Sequence, residues 1–493
     1  MESINTFLSE KEPTTGMTGS EPQPAAAKNT LYGLPEELLE KILEYAVADD
    51  NAEQDSGCRS FKKEFPVLWN LHEFRRVARL PLVGRRFYRL AMPMIYREVA
   101  FKAGGPCDRQ AQLLRSLTEA KLGDHVKTLI LDVRPRGCDF ADSVVGDGRL
   151  VSVMSGATAL NVLMSTDPDE RQDMLEAVGA VIRGLPLLGE MELGMSDREF
   201  SFPLREVCEQ LNGAVGSLRK LVWRGATCEG FRLFRTGPGG LEERSFPVTD
   251  LSLFNLIGGL SELEDLVKWL ARLQRFTLRD SRPRHSPQGW TLSQIANILS
   301  AHKSTLEALD LCGMDGRQGL SGLDLRGFAR LESLELSRWS TGVHPGQVTS
   351  ILGAPRLRRF CWMFEHRSDG YFMNTGTMLH FGDTEETFVR ALIATAVEVS
   401  SPLMHIDIEC RPNRKQLWCR DEHLNRISWS EQYGWPVVYP WDRLERLRSE
   451  AKAVGIDLAF PGPTISRAEF AEFERGQRGG TRRRRAHGSP DCR

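Results

Sequence analysis

The one place where metal-binding residue types gather is His405-x4-Cys410-x8-Cys419-x3-His423. Zinc takes four thiolate or imidazole donors in a tetrahedron, and its sites usually supply two of them as a close pair. This spacing has no such pair. His405 also falls in an alternating apolar segment, where a surface histidine needs no metal. No metal is therefore expected. There is no phosphate-cradling Gly-x-x-x-x-Gly-Lys, no Gly-x-Ser-x-Gly elbow and no Gly-x-Gly-x-x-Gly fingerprint, so neither nucleotide cofactor nor nucleophilic catalysis is indicated. The chain reads as non-catalytic and without a cofactor.

What remains is charge at regular positions. Glu190 and Glu192, Lys220 and Arg224, Asp250, Arg275 and Arg279, Asp310, Glu335, Arg359, and Asp407 and Glu409 all sit within copies of one pattern, apolar-x-x-apolar-x-apolar. Strand alternation sends them to the face opposite the apolar residues. If consecutive copies stack as parallel strands, Lys220 and Arg224 lie beside Asp250, and Asp250 beside Arg275 and Arg279. Four basic side chains around one acid would leave a positive surplus. Guanidinium groups hold carboxylate or phosphate through two parallel hydrogen bonds, so Lys220, Arg224, Arg275 and Arg279 form the expected substrate-binding set. For any one of them, a solvated strand face is the plainer reading.

The elements that would position these residues follow from the same pattern. Copies occur at Val126/Leu129/Leu131, Leu188/Met191/Leu193, Leu218/Leu221/Trp223, Val248/Leu251/Leu253, Leu273/Phe276/Leu278, Leu306/Leu309/Leu311, Leu331/Leu334/Leu336, Leu357/Phe360/Trp362 and Leu403/Ile406/Ile408, with a degenerate one at Leu160/Leu163. Between most copies lies a segment of helical periodicity, such as TLSQIANILSAH or ETFVRALIATAV. Strand-plus-helix units repeating about every 25 to 33 residues are the signature of a leucine-rich-repeat-like solenoid. The expected architecture is α/β: a small N-terminal helical domain, then a solenoid of short parallel strands and helices over 108–410. An ordinary α/β domain would show similar alternation. Residues 411–475 read as a capping region, ending in a helix, a stop at Gly455 and a strand. Residues 476–493 form a basic tail containing Arg482–Arg485, expected to be disordered. It suits a nuclear import signal, a nucleic-acid contact or plain solvation.

The 493 residues are 41% hydrophobic and 26% charged, with net charge −2. That balance argues against a general nucleic-acid coat, so nucleic acid is not the expected partner. No apolar run approaches the roughly 20 residues of a membrane span, and the N-terminus lacks a secretory signal. Ten cysteines with no Cys-x-x-Cys fit free thiols and a cytoplasmic or nuclear setting. Residues 1–28, rich in Ser, Thr, Glu, Pro and Ala, read as a disordered tail.

Residues 34–43, LPEELLEKIL, open a short amphipathic helix. Pro35 suits the first helical position, and Glu36 and Glu37 complement the helix dipole. Leu34, Leu38, Ile42 and Ala46 form one stripe, widened by Leu39, Leu43 and Val47. After a polar stretch comes a second apolar block containing Leu82-Val83-Gly84-Arg85-Arg86-Phe87-Tyr88-Arg89-Leu90-Ala91, which Pro93 should stop. The Leu-Pro opening, this block and the closing Ile95-Tyr96 together resemble an F-box. Gly84 and Phe87 stand where that family usually has Cys and Trp.

The resemblance implies an F-box over 31–101 with an inserted loop at 48–73. It implies a face docking the small adaptor of a cullin-based ubiquitin ligase: Leu34, Pro35, Leu38, Ile42, Leu80, Leu82, Val83, Phe87 and Leu90. A protein substrate would then occupy the solenoid. Alternatives are a self-contained helical cap, a ligase-independent scaffold, or an enzyme or nucleic-acid binder using the charged face and tail.

Overall fold

The computed structural model describes residues 34–53, 84–102, 107–133, 149–164, 171–195, 202–203, 207–208, 211, 216–227, 242–256, 258–279, 290–312, 320, 322–341, 344–364, 381–410, 438–463, 466–468 and 471. Contacts divide the chain into two compact units, residues 1–49 and 50–493.

The first unit contributes most of helix α1, Glu36–Glu53. The Leu39 N–H donates to the Pro35 carbonyl, 3.1 Å, which closes the first turn. The helix runs beyond Val47 into a stretch expected to begin a loop at residue 48. Ala, Asp, Asn and Glu continue it because no Gly or Pro intervenes before Gly57. The remainder of the expected insertion lies outside the described residues. The apolar stripes of α1 separate: Leu39 and Leu43 are buried, whereas Leu38 and Ile42 are exposed.

After the last residues of α1, the described part of the second unit continues with α2, Arg85–Ile95, which buries Phe87 and Ala91. Pro93 lies inside this helix, so the helix ends two residues later than expected. Twelve parallel strands follow, each paired with the next in chain order. They are β1 Glu98–Lys102, β2 Thr128–Val133, β3 Ala159–Met164, β4 Glu190–Met195, β5 Lys220–Arg224 and β6 Asp250–Phe254. The rest are β7 Arg275–Arg279, β8 Ala308–Leu311, β9 Ser333–Ser337, β10 Arg359–Phe364, β11 His405–Cys410 and β12 Asp457–Ala459. Among the described residues this sheet has no strand out of chain order, and the two-residue strands Phe202–Pro203 and Ala226–Thr227 pair with each other separately.

The register is constant, so equivalent residues form rows across the sheet. Leu221, Leu251, Phe276, Leu309, Leu334, Phe360 and Ile406 form one inward row. Trp223, Leu253, Leu278, Leu311, Leu336, Trp362 and Ile408 line a second, and all these side chains are buried in one continuous core. Burying each such side chain stabilises the fold by about 1.5–3 kcal/mol. Just before the strands, one carbonyl per turn accepts two N–H groups from the next: Arg219 O from Thr249 and Asp250, Glu332 O from Arg358 and Arg359. That repeated bond pins the register.

Helices close the core from the other side. In α3, Leu260–Trp269, the buried residues Leu263, Leu266 and Val267 are at helical spacing. Helix α4, Leu292–Leu299, starts at Thr291 with a capping box to Gln294 and buries Ile295, Ala296 and Leu299. His302 follows, buried; its Nε2 lies 2.9 Å from the Val267 carbonyl and its Nδ1 accepts from the Leu273 N–H. Helices α5, Asp383–Glu398, and α6, Pro440–Ala453, serve the last turns. Buried Arg443 ties them by ion pairs to Asp383 and, at 2.6 Å, to Glu386.

The sheet is wider than 108–410. It starts at β1, inside the segment assigned to the helical domain, because Tyr96, Val99 and Phe101 make one more copy of the apolar pattern. Val99 and Phe101 are buried in the same core and stand in register with Leu129 and Leu131 of β2. It ends at β12, inside the expected capping region, after Gly455 at φ 82. In β3 the inward residues are Leu160 and Val162; Leu163 faces the other side, clustered with Ile130 and Ala100.

Candidate interaction surfaces

On α1, the expected docking residues divide by exposure. Pro35 is exposed and Leu34 half-buried; Leu38 is 48% and Ile42 43% exposed. One helical turn thus presents two large aliphatic side chains to solvent at i, i+4 spacing. The second block falls in the other unit. Phe87 is only 5% exposed and lies with Ala91 on the buried stripe of α2. Leu90 is half-buried. Leu80, Leu82 and Val83 lie outside the described residues.

The outer face of the sheet carries the charged rows. Lys220, Asp250 and Arg275 are register neighbours on β5, β6 and β7, and Arg224 and Arg279 flank Phe254 two rows further along, beyond Val222, Ser252 and Thr277. The expected four cations therefore share one face. They do not form a free positive patch. Lys220 Nζ is 3.1 Å from Glu190, and Arg224 Nε donates to Glu192 at 2.6 Å with its guanidinium 4.2 Å above the Phe254 ring. Arg275 is 3.7 Å from Asp250. Arg279 bridges Asp310 and Glu335, each at 2.6 Å. Arg359 pairs with Asp407 at 2.5 Å. The sequence pattern placed these residues on one face; the carboxylates that neutralise them come from other turns, 25 or more residues away.

Electrostatics follow from the geometry. Burial raises the Asp250 carboxyl above its ordinary value, and Lys220 and Arg275 only partly offset it. Burial opposes the charge on Arg279, but Asp310, Cys312 and Glu335 more than compensate and raise its pKa. Burial pushes the Cys361 thiol up, helped by Glu335, Glu409 and Asp407, so this cysteine is not an activated nucleophile.

Among the described residues, Asp310, Cys312 and Glu335 are the one group whose donor atoms converge closely enough for a metal ion. The Arg279 guanidinium already bonds both carboxylates, and it fills the cation position. At the sparse Cys/His cluster, His405 lies 3.7 Å from Asp457 and Cys410 ends β11, while Cys419 and His423 lie outside the described residues. No helix among the described residues is long and apolar enough to cross a membrane.

The chain matches no protein-family model and no curated protein sequence.

Proposed function

We propose that the chain is a substrate-recognition subunit of a cullin-based ubiquitin ligase. In this reading α1 belongs to an F-box that docks the adaptor, and the sheet region is a leucine-rich-repeat-like solenoid that holds the protein to be modified. The observation that carries the first half is the exposed Leu38 and Ile42 within the Leu-Pro-Glu-Glu-Leu-Leu block. An amphipathic helix with bare aliphatic residues is a ready helix-packing surface for a partner. The solenoid reading is supported by twelve parallel strands in unbroken chain order, each contributing inward aliphatic or aromatic residues. The chain performs no bond chemistry in this account and supplies proximity.

A second reading, a ligase-independent scaffold, is favoured by the burial of Phe87, which the resemblance counts in the docking face. Co-purification of the full chain with adaptor and cullin separates the two. The ligase reading expects both to be recovered from the wild-type chain and lost with Leu38→Asp plus Ile42→Asp. Recovery of neither by the wild type leaves the scaffold reading.

A further inference from the structure

The edge of the sheet at which the strands begin is charged differently from the outer face. Over the five residues that precede each of the twelve strands, nine lysines and arginines stand against three acids, a surplus of six. The chain as a whole has net charge −2. Arg97, Lys127, Arg219, Arg272, Lys303 and Arg358 are all exposed here and make no ion pair among the described residues. Four of them, Arg97, Lys127, Arg219 and Arg358, immediately precede strands and belong to the ladder of shared carbonyls. Arg219 and Arg358 do not adjoin the C-terminus of any described helix, so a helix dipole does not account for them.

The same edge also holds Leu187, Val399, Met404 and Val454, each 46% exposed or more. The Met404 N–H donates to the Arg358 carbonyl, 2.9 Å, so an apolar side chain starts one strand away from an unpaired cation. We propose that this edge docks an acidic protein segment carrying aliphatic side chains between its carboxylates. Unpaired guanidinium and ammonium groups match carboxylates. The aliphatic residues gain only from a partner that brings apolar surface of its own, which a phosphate backbone does not. Nor are the exposed large side chains of this edge aromatic, as base stacking would require. The inference does not depend on the ligase reading.

The test is fluorescence anisotropy of a labelled 20-residue peptide of Glu-Glu-Leu repeats against the full chain. Binding is expected at 50 mM NaCl and about tenfold weaker at 300 mM. Arg356→Glu with Arg358→Glu should weaken it about tenfold or more. Val399→Ser with Met404→Ser should weaken it about three- to tenfold, and a Glu-Glu-Ser peptide should bind the wild type worse by a similar factor. All four substituted residues are exposed, and circular dichroism verifies that each variant keeps its fold. The proposal is overturned if neither double variant weakens binding, if the serine peptide binds as well, or if a 20-nucleotide strand or 20-base-pair duplex binds more tightly than the peptide.

Discussion

Helix α1 and the outer face of the sheet are both dense in side chains suited to recognition, yet they leave opposite things unmet. On the outer face, Lys220, Arg224, Arg275, Arg279 and Arg359 each have a carboxylate within 4 Å. On α1, Leu39 and Leu43 are covered while Leu38 and Ile42, one position away, are bare. A surface whose groups satisfy one another gains little from a ligand, because new contacts must replace existing ones. A surface that exposes large aliphatic groups gains the full transfer free energy when a partner covers them.

The largest effects should come from the part of the molecule that is fully satisfied. Leu334→Ala removes a wholly buried side chain from the middle of the core and should cost about 2–5 kcal/mol, read by urea denaturation. Leu38→Ala should change stability by less than about 0.5 kcal/mol. Equal losses from the two would break the comparison.

Arg279→Met strands Asp310 and Glu335 with no cation between them. It should cost about 2–3 kcal/mol, somewhat below the penalty for breaking a fully buried pair because both carboxylates retain some exposure. Arg359→Met, at a half-exposed pair, should cost about 0–1 kcal/mol by the same assay. If the two substitutions cost the same, the outer face is not organised around the Arg279 bridge.

His302 gives a pH-dependent contrast. Burial lowers its pKa below the ordinary 6.5, with Arg244 adding to the effect against the Val267 hydrogen bond. The unfolded chain therefore binds a proton that the folded chain refuses. Stability from this group is intact above about pH 6.5 and declines as pH falls below that. The melting temperature should drop between pH 7.5 and 5.5, and the drop should shrink in His302→Asn.

Much of this was legible in the sequence, for a physical reason. A parallel strand with one face on the core repeats its apolar residues at fixed offsets, so nine strands and the facing of their charges could be read from spacing alone. β1 was missed although Tyr96/Val99/Phe101 carries the pattern, because the F-box-like block absorbed it. β12 read as an isolated capping strand, since Gly455 replaces the first apolar position. Charge pairing was not legible. Arg279 meets Asp310 and Glu335 only through the register of three strands, and the positive surplus expected around Lys220 and Arg224 disappears once their carboxylates are counted. On α1, spacing could not tell Leu38 from Leu39, because both lie on one broad apolar arc.

That last distinction carries the account. The most direct test is adaptor affinity and thermal stability measured together on the full chain, for Leu38→Ala with Ile42→Ala and for Leu39→Ala with Leu43→Ala. The first pair should lose adaptor binding by about tenfold or more while melting like the wild type; the second should melt earlier. Wild-type adaptor affinity in the Leu38/Ile42 variant, or a wild-type chain that binds no adaptor, would contradict it.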